Sequence, residues 1–270
     1  MKNLLALVLA AAVFAPGAAS AGQKQKRRAS LSRGLSEALF VASEPRVPLA
    51  TVSHAKDGFS IRSVGLKGST CGPSSKWAKR GSKWIALDAY GQPIGTALVS
   101  GFDTNAETKC RELQFGRKSG KLGEGIYVSA DSKWAAGKSL EWSPNDAEKT
   151  SFDAFVHTME THFTKEGADD TKAHSRALFF SSHRAVVGGS LLIVARLDSD
   201  KVWRIERLIP PGKESSSEFT PVGVLDMDKD GDAEIVYHAS NGWEAGDAVM
   251  SQVATGWKDV ALSAWSNKKH

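Results

Sequence analysis

Asp226, Asp228, Asp230, Asp232 and Glu234 fall within nine residues, and Lys229 is the single cation among them. Carboxylates crowded into a tight turn repel one another, and a hard cation held through oxygen ligands relieves that repulsion best. Ca²⁺ is the ion this chemistry favours. Acids at positions one, three and five with glycine at six let one curled backbone aim three side chains at a point, and Gly231 permits the sharp bend. A helix-loop-helix version of such a loop needs a bidentate glutamate at position twelve, where Tyr237 stands. Position nine is Glu234, and behind it Ile235 and Tyr237 alternate with Val236 and His238 in a strand pattern. The rival use of these residues is a metal-free Asp-Gly turn between two strands. That use accounts for Gly231 but gives no reason for acids at 226, 228 and 234.

The stretch resembles the Asp-x-Asp-x-Asp-Gly-x-x-Asp/Glu element of FG-GAP repeats, the integrin-type and VCBS-like blades of β-propellers. The resemblance covers about residues 219 to 262. It implies a loop that joins the first two strands of a propeller-blade-like unit and binds Ca²⁺. Asp226, Asp228, Asp230 and Glu234 would be side-chain ligands, and Asp232 would offer its main-chain carbonyl.

The segments that must position this loop read as mainly β, in antiparallel meanders, with one amphipathic α-helix; by strict count the class is α+β. Residues 45 to 142 form a β-rich segment in short runs broken by Gly, Pro and Ser. Residues 58 to 64 alternate, and 84 to 88 and 94 to 99 flank Tyr90-Gly91-Gln92-Pro93 as an antiparallel hairpin. Strands are also expected at 112 to 115 and 125 to 128. The helix occupies 143 to 166, with Ser143 as its cap, Pro144 at its first position, Asp146 at the capping-box spacing and Gly167 as its stop. Phe152, Phe155, Val156, Met159 and Phe163 make one apolar stripe, which needs a sheet to lie on. A second β-rich segment, 167 to 270, brings strands at 177 to 180, 190 to 197 and 202 to 208. Past a serine-rich link at 213 to 218 come the acidic loop and strands at 248 to 250 and 257 to 262.

Other residues with chemical potential yield less. His157 and His162 stand about 140° apart around a helix and cannot share a metal from it. Eight tryptophans raise the prospect of a sugar platform, with Trp243 foremost and Trp77, Trp134 and Trp142 in polar surroundings, although large aromatics fill β cores by default. No Gly-x-Ser-x-Gly elbow, phosphate-binding loop, zinc-protease helix or dinucleotide fingerprint occurs, and Gly188-Gly189-Ser190 near His183 is too little to name a nucleophile.

Residues 1 to 21 read as a signal peptide, with Lys2, an apolar run from 4 to 14 and Ala19-Ser20-Ala21 as the cleavage site. The expected compartment is secreted or periplasmic, with no transmembrane segment. An oxidising compartment favours a disulfide between Cys71 and Cys110. Such a bridge would stabilise the fold by roughly 3 to 4 kcal/mol in the chain-entropy account. The rival role of Cys71, as a nucleophile, lacks a partner His or Asn that can be placed beside it. Lys24, Lys26, Arg27, Arg28 and Arg33 match in number the whole net charge of +5, so basicity belongs to a flexible tail over 22 to 44. A folded nucleic-acid face is not indicated, and the tail offers electrostatic contact with an anionic cell surface. The function expected is an exported, calcium-binding, non-catalytic binding or structural module for a protein or carbohydrate ligand. The alternative is an exported hydrolase with a structural calcium site.

Overall fold

Ile235, Val236 and Tyr237 are all buried, as are Ala248, Val249 and Met250, because the sheet that carries them is covered on both faces. A computed structural model describes residues 38–41, 48–55, 58–63, 79–104, 111–120, 125–129, 137–163, 177–210, 217–240 and 245–262. Among them the chain is mainly β, with antiparallel sheets and a single helix.

The first sheet takes β1 (Ala38–Val41), β2 (Pro48–Ala55), β3 (Gly58–Ser63), β4 (Lys83–Leu87), β5 (Pro93–Thr104), β6 (Arg111–Gly120) and β7 (Ile126–Ser129). Their spatial order is β3-β2-β1-β7-β4-β5-β6, so β7 returns to lie between β1 and β4. Residues 38 to 41, counted by sequence with the basic tail, are therefore a strand of this sheet. Helix α1 (Asp146–Phe163) follows. The second sheet is a meander of β8 (Leu178–Phe180), β9 (Arg184–Val187), β10 (Leu192–Leu197) and β11 (Trp203–Ile209). The third is a meander of β12 (Glu218–Leu225), β13 (Glu234–Ser240), β14 (Ala245–Val253) and β15 (Gly256–Leu262).

The alternation of side chains across these strands builds the layers. Leu49, Leu87, Ile126 and Val128 of the first sheet pack with Met227, Val236, Val249 and Ala261. Phe180, Val186, Leu192 and Val194 of the second pack with Ile235, Tyr237, Met250 and Trp257, on the opposite side of the third. The third sheet is thus the middle layer. The two β-rich segments share its core and belong to one unit, Gly34–His270.

The predicted hairpin forms, with Trp84 opposite Ala97. Its turn is tied by Asp88 Oδ1, which accepts the N–H of Tyr90 at 2.9 Å and of Gln92 at 2.8 Å. The helix starts later than Ser143 and Pro144 imply. Asn145 is the cap: its Oδ1 accepts the Glu148 N–H at 2.9 Å, and Glu148 Oε2 accepts the Asn145 N–H at 3.1 Å. Phe152 and Val156 lie on the outer face of the second sheet, against Ala185, Ile193 and Trp203. Phe155 and Met159 are half-buried, whereas Phe163, the last of the predicted stripe, is exposed. No helix among the described residues is long and apolar enough to cross a membrane. Residues 1 to 21, most of the basic tail, Cys71, Cys110, Trp77, Trp134 and Trp243 lie outside the described residues.

Candidate metal centre

The acidic loop joins β12 to β13, and Leu225 pairs with Glu234 to close it. Its ends are pinned on opposite sides of the middle layer, because Met227 belongs to the core shared with the first sheet and Ala233 to the core shared with the second. Between them Lys229 (φ 63°) and Gly231 (φ 91°) both take left-handed backbone, free for glycine and costly for lysine. The Asp230 N–H donates to Asp228 Oδ1 at 3.2 Å and the Asp232 N–H to Asp230 Oδ1 at 2.8 Å, two side-chain turns in succession. Asp226 accepts N–H groups of Gly231 and Lys229 across the bend.

This curl gathers three of the five acids. Asp226, Asp228 and Glu234 each offer a carboxylate oxygen, all within 4.8 Å of one another. Oxygens that share a Ca²⁺ at its usual bond lengths stand up to about 5 Å apart, so the spacing suits that ion. Asp226 Oδ1 is buried without a hydrogen-bond partner. Glu234 is 1% exposed and held from two sides: Oε2 accepts the Met227 N–H at 2.7 Å, and Oε1 accepts the Ser251 hydroxyl at 3.2 Å. The side chains of Asp230 and Asp232 are exposed and stand outside the group of three.

Crowding and burial act together on these groups. Burial, then the charges of Asp228, Asp230 and Asp226, push Glu234 well above the usual carboxylate range. Asp228 is pushed up to about 7, by burial first and by the Asp230 carboxylate next. Asp226 is raised by burial, and Lys229 is lowered by burial. A divalent ion would supply the missing countercharge, and the all-oxygen donor set suits Ca²⁺ better than zinc or copper.

The first sheet braces the loop. The Val224 N–H donates to the Ala89 carbonyl at 2.7 Å, and Gly91 (φ 75°) approaches so closely that a Cβ there would stand 3.0 Å from Leu225 Cβ. Gln92 Nε2 donates to the Gly137 carbonyl at 3.3 Å, and a Cβ on Gly137 would stand 3.3 Å from Lys229 Nζ. Replacing these glycines would press directly on the loop and its strand.

Sequence reasoning passed over a second polar pair. His238 and Asp247 face each other on β13 and β14, with His238 Nδ1 and Asp247 Oδ1 3.0 Å apart and Asp247 1% exposed. Pairing the two strands through the short 241 to 244 connection would have brought them together. Of the other candidates, His157 and His162 are exposed. Trp142 is half-buried in the core beneath α1, its ring 4.8 Å from His183 and 6.0 Å from Phe179. Gly188 has a packing role, since a Cβ there would meet the Phe219 carbonyl at 2.1 Å. It also lies at the opposite end of β9 from His183.

Comparison of this chain with protein families, with curated proteins and with solved structures finds no match in any of the three.

Proposed function

We propose that the chain is an exported calcium-binding module without chemistry of its own, in which Ca²⁺ held by the 226 to 234 loop stiffens the middle sheet for binding or structural duty. The observation that carries this is the convergence of Asp226, Asp228 and Glu234 within 4.8 Å, with Asp226 Oδ1 buried and unpartnered. A metal-free turn has no use for that oxygen, and burying it unpaired costs free energy that a cation would recover. Placement of the loop between the first two strands of a four-stranded meander supports the FG-GAP-like reading. The leader-like residues 1 to 21 support export, and export meets a compartment where Ca²⁺ is plentiful. The affinity is modest, on the order of 10⁻⁴ to 10⁻³ M as in extracellular modules, because one short loop leaves part of the shell to water. The ligand served by the stiffened sheet is a protein or a carbohydrate.

Calorimetric titration of the purified protein with Ca²⁺, paired with melts in Ca²⁺ and in chelator, tests this. Saturable heat and a higher melting temperature in Ca²⁺ are expected. Identical melts with no heat of binding would refute it.

A further inference from the structure

Arg184, Arg196 and Arg204 stand directly opposite one another on β9, β10 and β11, and so share one face of the second sheet. It is the face turned toward the third sheet, since Val186 and Val194, two residues along, lie in the core between the two. Like charges set directly opposite destabilise a ladder, so sheet stability alone does not call for this row. Among the described residues two carboxylates serve the three guanidiniums. Glu206 stands 2.7 Å from Arg184 Nε and 3.4 Å from Arg196 Nε, and Asp198 stands 2.6 Å from Arg204 Nε.

Neither acid is a loose counter-ion. Glu206 also accepts the Trp257 indole N–H at 2.9 Å from the third sheet, and Asp198 Oδ1 accepts the backbone N–H groups of Asp200 and Val202, each at 2.9 Å. Fixed in this way, the acids hold the guanidiniums in place. A guanidinium carries five N–H donors and a side-on carboxylate takes two, so donors remain for a further acceptor. Arg184 is largely covered, while the side chains of Arg196 and Arg204 are 51% and 62% exposed. The row therefore runs from the interior out to solvent.

Backbone strain gathers at the same place. Among the described residues four that are not glycine take left-handed backbone, and one of them, Lys229, lies in the acidic loop. The other three are Ser182 and His183, in the turn that delivers Arg184, and Lys201, in the turn that delivers Arg204. Such conformations persist where the surrounding structure imposes them, and they concentrate at functional sites.

We propose that Arg184, Arg196 and Arg204 form a binding site for an oxyanion group, a phosphate, sulfate or carboxylate, seated on Arg196 and Arg204 with Arg184 behind them. The planar guanidinium fork matches two oxygens of such a group, and the row adds charge that the two fixed acids leave unbalanced. This site stands apart from the acidic loop and does not depend on calcium.

Calorimetric titration of the full chain with sodium phosphate, sodium sulfate and sodium acetate at constant ionic strength tests the site. The phosphate and sulfate arms against the acetate arm separate tetrahedral from planar groups. At least one anion should bind saturably, with affinity reduced tenfold or more in Arg196→Gln and in Arg204→Gln. Lys258→Gln, at an exposed lysine on β15 outside the row, should titrate as the natural protein does. The two arginines are half or more exposed, so their loss should leave the melting temperature in chloride within a few degrees of the natural value. Arginine variants that titrate like the natural protein, or no saturable response to any of the three anions, would overturn the site.

Discussion

The Glu234 carboxylate accepts the Met227 N–H at 2.7 Å across the neck of the acidic loop, so the last acid of the series also clasps the turn that carries the others. Glu234→Gln keeps an acceptor for that N–H and removes a charge whose ionisation burial opposes. Its melting temperature in chelator should equal or exceed that of the natural protein, while the rise on adding Ca²⁺ should shrink. Glu234→Ala leaves the Met227 N–H and the Ser251 hydroxyl without partners and should cost about 2 to 4 kcal/mol in chelator, and more in Ca²⁺ where a ligand is lost as well. Melts of both variants with and without Ca²⁺ check this. Equal losses from Gln and Ala in chelator would mean that the charge matters without an ion.

Among the remaining acids the loop draws a division that mutation can expose. Asp226→Ala and Asp228→Ala should abolish most of the stabilisation by Ca²⁺ while changing the chelator melt by less than about 1 kcal/mol. Asp232→Ala should keep the calcium response, because its carboxylate is exposed and stands outside the group of three. Differential scanning calorimetry in Ca²⁺ and in chelator reads all three, and a loss in Asp232→Ala equal to that in Asp226→Ala would contradict the assignment.

Proton release should accompany the metal. With Asp228 raised from 3.8 in the unfolded chain to about 7 in the folded one, its contribution to metal-free stability is complete below 3.8 and is lost as pH rises through about 7. Glu234 acts in the same direction. Ca²⁺ needs the ionised carboxylates, so binding should expel protons near neutrality, and affinity should fall by up to about tenfold per pH unit for each proton displaced below pH 7. Calorimetry in two buffers of different ionisation enthalpy counts the protons. A heat independent of buffer would sink this expectation.

A separate pH dependence belongs to the middle sheet. Its hydrogen bond to Asp247 raises His238 above its ordinary 6.5, and the nearby Glu218 adds to the shift. Asp247 is raised as well, by burial, against the pull of His238. A histidine raised on folding contributes stability that is fully present below 6.5 and lost as pH climbs through the folded value; the raised Asp247 has the same sign. The denaturant midpoint should therefore decline from pH 6 toward pH 9, by about 1 kcal/mol for a charge-assisted bond partly open to water. Measured in saturating Ca²⁺, which keeps the loop carboxylates ionised across this range, His238→Gln should flatten the profile. A profile in that variant as steep as in the natural protein would place the titration elsewhere.

Local signals carried much of this architecture. The Tyr90 to Pro93 hairpin, the stripe of Phe152 and Val156, and the strand behind Glu234 each depend on neighbours in the chain, and each is present. Four strands, β1, β2, β9 and β12, were not individually marked, and for two of them the structure shows why. β9 begins after Ser182 and His183, which take a left-handed turn without the Gly or Asn that would mark it. β12 runs through Pro221, tolerated because the register shifts there and β12 lies at the edge of its sheet. At the helix start the Ser-Pro pair at 143 and 144 pointed to Ser143, and the reciprocal bonds between Asn145 and Glu148 place the cap two residues later. In the loop, the resemblance implied Asp226, Asp228, Asp230 and Glu234 as side-chain ligands with Asp232 lending its main-chain carbonyl; the pinning of Met227 and Ala233 in opposite cores turns Glu234 inward and leaves the side chains of Asp230 and Asp232 in water.

The sheet that fills the centre, β12 to β15, comes from residues 218 to 262, whereas both layers that flank it come from earlier in the chain. During synthesis the two flanking layers are finished first and have nothing to close upon until this last stretch arrives. A polypeptide cut short before Glu218 would leave two greasy faces open to water, so loss of those residues should drive the chain toward aggregation.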